Sequence, residues 1–180
     1  MLKLEVGMPL KKSLIYYHDM LISHGLYINF ACVTHDIYYT KEKSFDGLTE
    51  NQIKKSCVRL RDIDNLAMSN KVSNIEKIRI EEDKLVKQGY HKVFDTIKVD
   101  FQYKKQGMHS CVQLQDIKDI GLLVYYDNED YYNYPQDIQR KMLLEELNSY
   151  GFEFKESDLG LDKLRTLYYG KKLFSKNQNG

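Results

Sequence analysis

The stretch from Ile97 to Asp127 most constrains the fold, because apolar and polar residues alternate along it in three successive runs. In the first run Ile97, Val99, Phe101 and Tyr103 share one side, and polar residues occupy the other. Alternation with period two is typical of a β-strand with one buried face. A polar turn at 104–107 and two further alternating runs, at 112–114 and 122–126, follow. The stretch therefore predicts an antiparallel meander.

The rest of the chain mixes further strand patterns with amphipathic helical ones. Strands are predicted at 2–8, 27–33, 57–62 and 74–80, and helices at 11–23, 49–54, 82–88, 135–150 and 164–173. Gly25, Gly89 and Gly151 stand where three of these helices are expected to end, since glycine readily adopts the left-handed conformation of a helix terminus. This mixture predicts an α+β protein.

Composition limits the class of protein further. The chain has 180 residues, of which 42% are hydrophobic and 29% charged, as in one soluble globular domain spanning 1–180. A net charge of +1 argues against a general nucleic-acid surface, and the absence of a long apolar run argues against a membrane span. Cys32, Cys57 and Cys111 lack metal-ligand spacing, and an odd cysteine count favours reduced thiols in the cytoplasm.

Two arginines on one predicted strand are the clearest candidate binding residues. Arg59 and Arg61 are two residues apart, so on a strand they share a face. Two planar guanidinium groups on one face suit a di- or triphosphate, because each pairs bidentately with phosphate oxygens. The alternative is a solvated strand face whose cations are balanced by Asp62 and Asp64.

Several of these segments also follow a known family pattern. Residues 98–103, 112–117 and 120–127 keep the spacing and apolar frame of K-x-R-x-x-Y, v-x-L-D-x-V and L-G-x-F-v-E-x-E, and 57–62 matches an L-R-I-R strand. Residues 34–39 match Q-x-D-x-Y at Asp36 and Tyr38. The chain thus resembles the CYTH domain, the fold of class IV adenylyl cyclases, thiamine triphosphatases and other triphosphate tunnel enzymes.

This resemblance implies a fold and a site. The expected fold is an antiparallel barrel of about eight strands that forms a tunnel, with helices packed outside. The residues that would bind phosphate are Arg59, Arg61, Lys98 and Lys71, and those that would bind Mg²⁺ or Mn²⁺ are Glu5, Glu76 and Asp127. An alternative register near Glu76 would use Arg79, Glu81 and Asp83 instead.

The chain departs from the family at charged positions. Lys3, Gly7, Gln115 and Tyr125 stand where the family has Glu, Lys, Asp and Glu, and Asp100 stands where it has Arg. The basic residues of the family pattern are thus better preserved in this sequence than its acidic residues. This asymmetry predicts a protein that binds a phosphorylated small molecule or polyphosphate and has lost part of its catalytic acids.

Two other functions stay open. One is an active metal-dependent phosphohydrolase or adenylyl cyclase that acts on organic triphosphates with Mg²⁺ or Mn²⁺. The other is a structural or protein-interaction module whose tunnel has collapsed, with no cofactor. No nucleotide-binding glycine motif or H-E-x-x-H zinc motif competes with these interpretations, and a homodimer is compatible with the sequence.

Overall fold

A computed structural model describes residues 6–65 and 75–153. The strands are β1 (Val6–Pro9), β2 (Tyr27–Thr40), β3 (Cys57–Asn65), β4 (His91–Lys104), β5 (Ser110–Ile117) and β6 (Gly121–Asn128). The helices are α1 (Leu14–Ser23), α2 (Glu50–Ser56), α3 (Ile75–Lys87) and α4 (Gln136–Ser149), with a 3₁₀ turn at Glu129–Tyr131. Within these residues, no helix has the length and apolar character required to cross a membrane.

The six strands form one sheet in the order β1-β6-β5-β4-β2-β3, which confirms the α+β class and the adjacency of the three meander strands. The pairs β1/β6, β5/β6 and β2/β3 are antiparallel. The sheet that the described residues form is open, with β1 and β3 at its ends. The expectation of a closed barrel of about eight strands is therefore corrected to this open six-stranded sheet for 6–65 and 75–153.

The chain divides into two compact units, and the boundaries fall inside β2 and β4. Among the described residues, the first unit comprises 6–31 and 99–153, and the second comprises 32–65 and 75–98. Whether the chain behaves as the single domain expected from its length stays a prediction.

The core of the first unit lies between α1, α4 and one face of the meander. Leu21, Leu114, Val124 and Leu147 are fully buried in it. Tyr17 stacks on Phe152 with ring centroids 5.3 Å apart. Cross-strand pairing places Leu114 opposite Val124 and Val112 opposite Tyr126, so the apolar residues share one face.

The core of the second unit is smaller and rich in aromatic side chains. Tyr38 and Phe94 stack in parallel, with centroids 4.5 Å apart, against Phe45, Ile53 and Val93. Helix α2, which contributes Ile53, begins at a capping box in which Thr49 and Gln52 satisfy each other's backbone amides. This core lies beside the candidate site described below.

Helix α3 corrects one prediction, because 74–80 was expected to be a strand and Ile75–Lys87 is a single helix. Ile78, Glu82 and Leu85 are its partly buried positions, three or four residues apart, as one face of a helix requires. The buried Tyr39 hydroxyl donates a 2.7 Å hydrogen bond to Glu82. The sequence patterns had predicted a strand at 74–80 and a separate short helix at 82–88 in place of this one helix.

Candidate anion-binding site

A buried carboxylate, Asp36, lies at the centre of the candidate site in the second unit. It occupies β2, and the β2/β3 register sets it directly opposite Arg61 and sets Tyr38 opposite Arg59. Directly paired residues on antiparallel strands share a face, so both arginines lie on the face of Asp36. The predicted convergence of Arg59 and Arg61 on one side of the sheet agrees with this register.

Three cationic side chains converge on this carboxylate, and we call the four residues the Asp36 cluster. Arg61 donates from Nε to Oδ1 at 2.6 Å and from Nη2 to Oδ2 at 2.8 Å. Lys98 Nζ, from β4, lies 2.6 Å from Oδ2. Arg59 Nη1 lies 3.9 Å from the same oxygen, which is ion-pair range but beyond hydrogen-bonding distance.

The four side chains of the Asp36 cluster range from fully buried to about half-exposed. The side chain of Asp36 is 0% exposed and that of Lys98 is 7% exposed, whereas the values are 34% for Arg61 and 47% for Arg59. The carboxylate therefore lies at the base, and the guanidinium groups extend to solvent. Charge-assisted hydrogen bonds from such groups are the means by which proteins hold phosphate oxygens.

The cations control the ionisation of Asp36. Burial alone would raise its pKa, but hydrogen bonds from Arg61 and Lys98, together with their charges, hold the pKa below its usual value. The carboxylate is therefore ionised at neutral pH and acts as a fixed negative charge. Three cationic side chains lie within 4 Å of this one carboxylate.

The aromatic stack of Tyr38 and Phe94 flanks the cluster. Tyr38 follows Asp36 by two residues on β2, and Phe94 precedes Lys98 by four on β4, so each shares the strand face of its neighbour. Burial, followed by the charge of Asp36, raises the pKa of the Tyr38 hydroxyl, and the charge of Arg59 opposes this rise. The stacked rings thus form an aromatic border of the cluster.

A polar cavity of about 220 Å³ lies within the first unit. Its lining includes Gln102, Gln113, Tyr125 and Asp127. The Asp127 carboxylate accepts a 2.8 Å hydrogen bond from the Tyr132 hydroxyl. Lys104, Tyr126 and Glu129 also line it, so the lining carries charges of both signs.

Asp100 shows what has replaced the expected chemistry in this unit. Its buried carboxylate accepts hydrogen bonds from Gln113, at 3.1 Å, and from Gln115. Asp100 and Gln115 stand where the CYTH pattern that the sequence resembles has an arginine and an aspartate. The two departures compensate each other, since a buried carboxylate needs donors.

The predicted site residues divide into three groups. Arg59, Arg61 and Lys98 meet at Asp36. Glu5 and Lys71 lie outside the described residues. The other two lie apart from the Asp36 cluster: Glu76 is exposed in the first turn of α3, not on a strand, and Asp127 lines the polar cavity of the first unit.

The metal-binding roles of Glu5, Glu76 and Asp127 stay predictions. In residues 6–65 and 75–153, no three His, Cys, Asp or Glu side chains are grouped closely enough to hold a metal ion. Asp36 was recognised as part of a motif but not as the centre of the site. The sequence did contain a signal for this role: Asp36 is an acidic residue within a long strand of β-branched and aromatic residues.

Comparison with known proteins supports the fold at very low sequence identity. No family model matches the chain, and no curated protein does. Among solved structures, a Vibrio parahaemolyticus protein provisionally named an adenylate cyclase matches with a TM-score of 0.60 and 13% identity, covering 93% of this chain and 97% of that one.

Two archaeal proteins give similar results. The PH1819 protein of Pyrococcus horikoshii OT3 matches with a TM-score of 0.60 and 12% identity over 98% of both chains. The PH1012 protein of the same organism matches with a TM-score of 0.56 and 10% identity, covering 88% of this chain and 94% of that one. At such identities the similarity shows a shared fold alone.

Proposed function

We propose that this protein binds a phosphorylated anion, either a phosphorylated small molecule or a polyphosphate such as tripolyphosphate, through Arg59, Arg61 and Lys98. The observation that carries the proposal is the convergence of these three cations on one buried carboxylate, with both guanidinium groups reaching solvent. The partly exposed guanidinium groups are accessible to an anion in solvent, and charge-assisted hydrogen bonds from such groups to phosphate oxygens are strong. Lys71 is a further candidate phosphate ligand.

The resemblance to the CYTH domain and the fold shared with the Vibrio protein point in the same direction. The second candidate function is metal-dependent hydrolysis or cyclisation of an organic triphosphate. The provisional name of the Vibrio protein favours it, and it would require Mg²⁺ or Mn²⁺ held by Glu5, Glu76 and Asp127.

The proposal predicts that the double substitution Arg59→Ala and Arg61→Ala abolishes tripolyphosphate binding in a calorimetric titration. Each guanidinium lost removes charge-assisted hydrogen bonds, which are among the stronger contacts available to a phosphate. The single variant Arg59→Gln should weaken binding with little effect on stability, because this side chain is half-exposed and lies 3.9 Å from Asp36.

The matched control is the pair Lys77→Ala and Arg79→Ala on α3. Both side chains are exposed and belong to the same unit, so this variant loses the same net charge without altering the Asp36 cluster. It should bind tripolyphosphate as the parent does. If the Arg59/Arg61 variant also binds as tightly as the parent, these arginines are solvated surface residues, and a structural or protein-interaction role is left.

A further inference from the structure

We propose that the polar cavity of the first unit is a binding site for a small zwitterion of the α-amino acid class, whose carboxylate pairs with Lys104 and whose ammonium group pairs with Glu129. The cavity shares no residue with the Asp36 cluster. This second site is therefore additional to the proposed function, and either can fail without the other.

Most of the cavity lining lies on the face of the meander that is opposite the apolar core of the first unit. Gln113 of β5 pairs directly with Tyr125 of β6, and the next pair along, at 114 and 124, faces that core. Gln102 and Lys104 of β4 are two residues apart, so they also share a strand face. At about 220 Å³ the cavity is smaller than pockets that hold drug-sized ligands, and it suits a small polar metabolite.

Two side chains of opposite charge line this cavity without pairing with each other. Lys104 and Glu129 are both exposed there, and within residues 6–65 and 75–153 neither side chain takes part in an ion pair or a hydrogen bond. Asp127 also lines the cavity, but its carboxylate already accepts a hydrogen bond from the Tyr132 hydroxyl. The ammonium group of a ligand is therefore assigned to Glu129, and the carboxylate to Lys104.

The two charges lie at the same end of the first unit, because both act on His109. The hydrogen bond and charge of Asp130 raise the pKa of His109 most, the charge of Glu129 raises it further, and the charge of Lys104 opposes the rise. His109 pairs with Asp130 at 2.9 Å, so Asp130 rather than Glu129 is its counter-charge. Lys104 and Glu129 thus share one cavity beyond ion-pair distance of each other, as the two ends of a bridging zwitterion require.

The charges of the lining favour a zwitterion over an ion of one sign. A simple anion would be attracted by Lys104 but repelled by Glu129 and Asp127, and a simple cation would be repelled by Lys104. A single pair between exposed groups is weak, so tight binding requires that both ends of the ligand be engaged. The amide of Gln102, which also lines the cavity, can donate to the carboxylate of the ligand and accept from its ammonium group.

The test titrates the full-length protein with L-serine, L-asparagine and L-glutamine by calorimetry. At least one of them should bind. Its carboxamide, which lacks the carboxylate, and its N-acetyl derivative, which lacks the ammonium group, should each bind about fivefold or more weakly. If none of the three amino acids binds, or if both blocked analogues bind as tightly as the amino acid, the zwitterion site is overturned, whatever the result with phosphates.

Two variants assign each end of the ligand to one side chain. Lys104→Gln should weaken binding of the amino acid by about fivefold or more but should not weaken binding of the carboxamide, which has no carboxylate to lose. Glu129→Gln should weaken binding of the amino acid but not of the N-acetyl derivative. A loss shared equally by the amino acid and both analogues would show a merely structural effect and would overturn the assignment.

The matched controls are Lys105→Gln and Glu145→Gln, which remove the same charges from exposed positions of the first unit outside the cavity lining. Both should bind the amino acid as the parent does. Because Lys104 and Glu129 are exposed, all four variants should fold, and a thermal melt of each verifies this. Unchanged affinity for the amino acid in both Lys104→Gln and Glu129→Gln would overturn the proposal.

Discussion

At the scale of single residues, the ionisation of Asp36 connects stability to pH. The pKa of Asp36 in the folded protein is lower than in the unfolded chain, because the hydrogen bonds and charges of Arg61 and Lys98 outweigh burial. A group with a depressed folded pKa contributes stability that is present above its unfolded pKa, near about 4, and is lost as pH falls through the folded pKa. The unfolded chain binds more protons in that window, so stability rises with pH there.

We therefore expect the parent to lose stability steeply on acidification below about pH 4, and Asp36→Asn to lose this part of the pH dependence. Urea unfolding at neutral pH and at several acidic pH values measures both slopes. Asp95→Asn should have a smaller effect, because Asp95 is 44% exposed and solvent screens its pair with Lys92. Equal slopes in the parent and Asp36→Asn would contradict the ion-pair network described here.

The same residues show which parts of the candidate site could be predicted from the sequence. Strand periodicity was enough to place Arg59 and Arg61 on one face, and family spacing added Lys98. The role of Asp36 was missed, because it depends on the β2/β3 register, which pairs residues 25 positions apart. Alternation also suggested that the apolar side of β4 is the buried one, yet Ile97 is 42% exposed while Lys98 and Asp100 are buried. Lys98 and Asp100 are buried because each has polar partners on another strand.

At the scale of elements, the ends of the helices were predicted well because their signals are local. In α4, Gly151 N donates to Asn148 O at 2.9 Å and Phe152 N donates to Leu147 O at 3.2 Å, which is a Schellman motif. Gly89 ends α3 in the same way. The strand predicted at 74–80 failed for the opposite reason, since a short apolar run fits either period until the next turn is included.

These two helix ends offer a matched test of local packing. Gly151 and Gly89 both have positive φ, of 94° and 85°, so replacement of either by Ala should cost about 1 kcal/mol in backbone strain. A Cβ at Gly151 would also lie 3.0 Å from Met20 Sδ, whereas one at Gly89 would meet nothing within 4 Å. Gly151→Ala should therefore destabilise the protein more than Gly89→Ala in urea unfolding.

Adding Met20→Ala to each variant isolates the packing contribution. If the contact causes the difference, the cost of Gly151→Ala measured in the Met20→Ala background should fall to that of Gly89→Ala. The cost of Gly89→Ala should be the same in both backgrounds. Equal costs for the two single variants would show that the Met20 side chain moves aside freely.

At the scale of the whole molecule, the α+β class predicted from the sequence is confirmed, and the predicted chemistry stays a prediction. The apolar frame of the meander predicted strands that the structure contains, and solved structures with TM-scores of 0.60 share the overall fold. Closure of the sheet was not predicted correctly for the described residues, because it depends on pairing between strands far apart in sequence. Catalytic capacity depends on a few charged positions, and at those positions the sequence differs from the CYTH pattern that it resembles.

Those departures give the last prediction: phosphate release from ATP, thiamine triphosphate or tripolyphosphate, and formation of cyclic AMP, should be weak or absent with Mg²⁺ or Mn²⁺. Lys3, Gln115 and Tyr125 stand where the family has acids. Gln115 donates to Asp100, and Tyr125 belongs to an apolar cluster with Ile117 and Leu123, so neither side chain offers a carboxylate to a metal.

The expected size of this loss follows from the role of metal ligands. A metal ion stabilises developing charge on the phosphate by several kcal/mol, and each loss of about 1.4 kcal/mol slows the reaction tenfold. Three missing acids should thus bring turnover close to the uncatalysed rate, even where the anion binds tightly. Robust turnover that disappears in Glu5→Ala or Asp127→Ala would contradict this prediction and restore the enzyme. Turnover that survives both substitutions would point to a contaminating phosphatase.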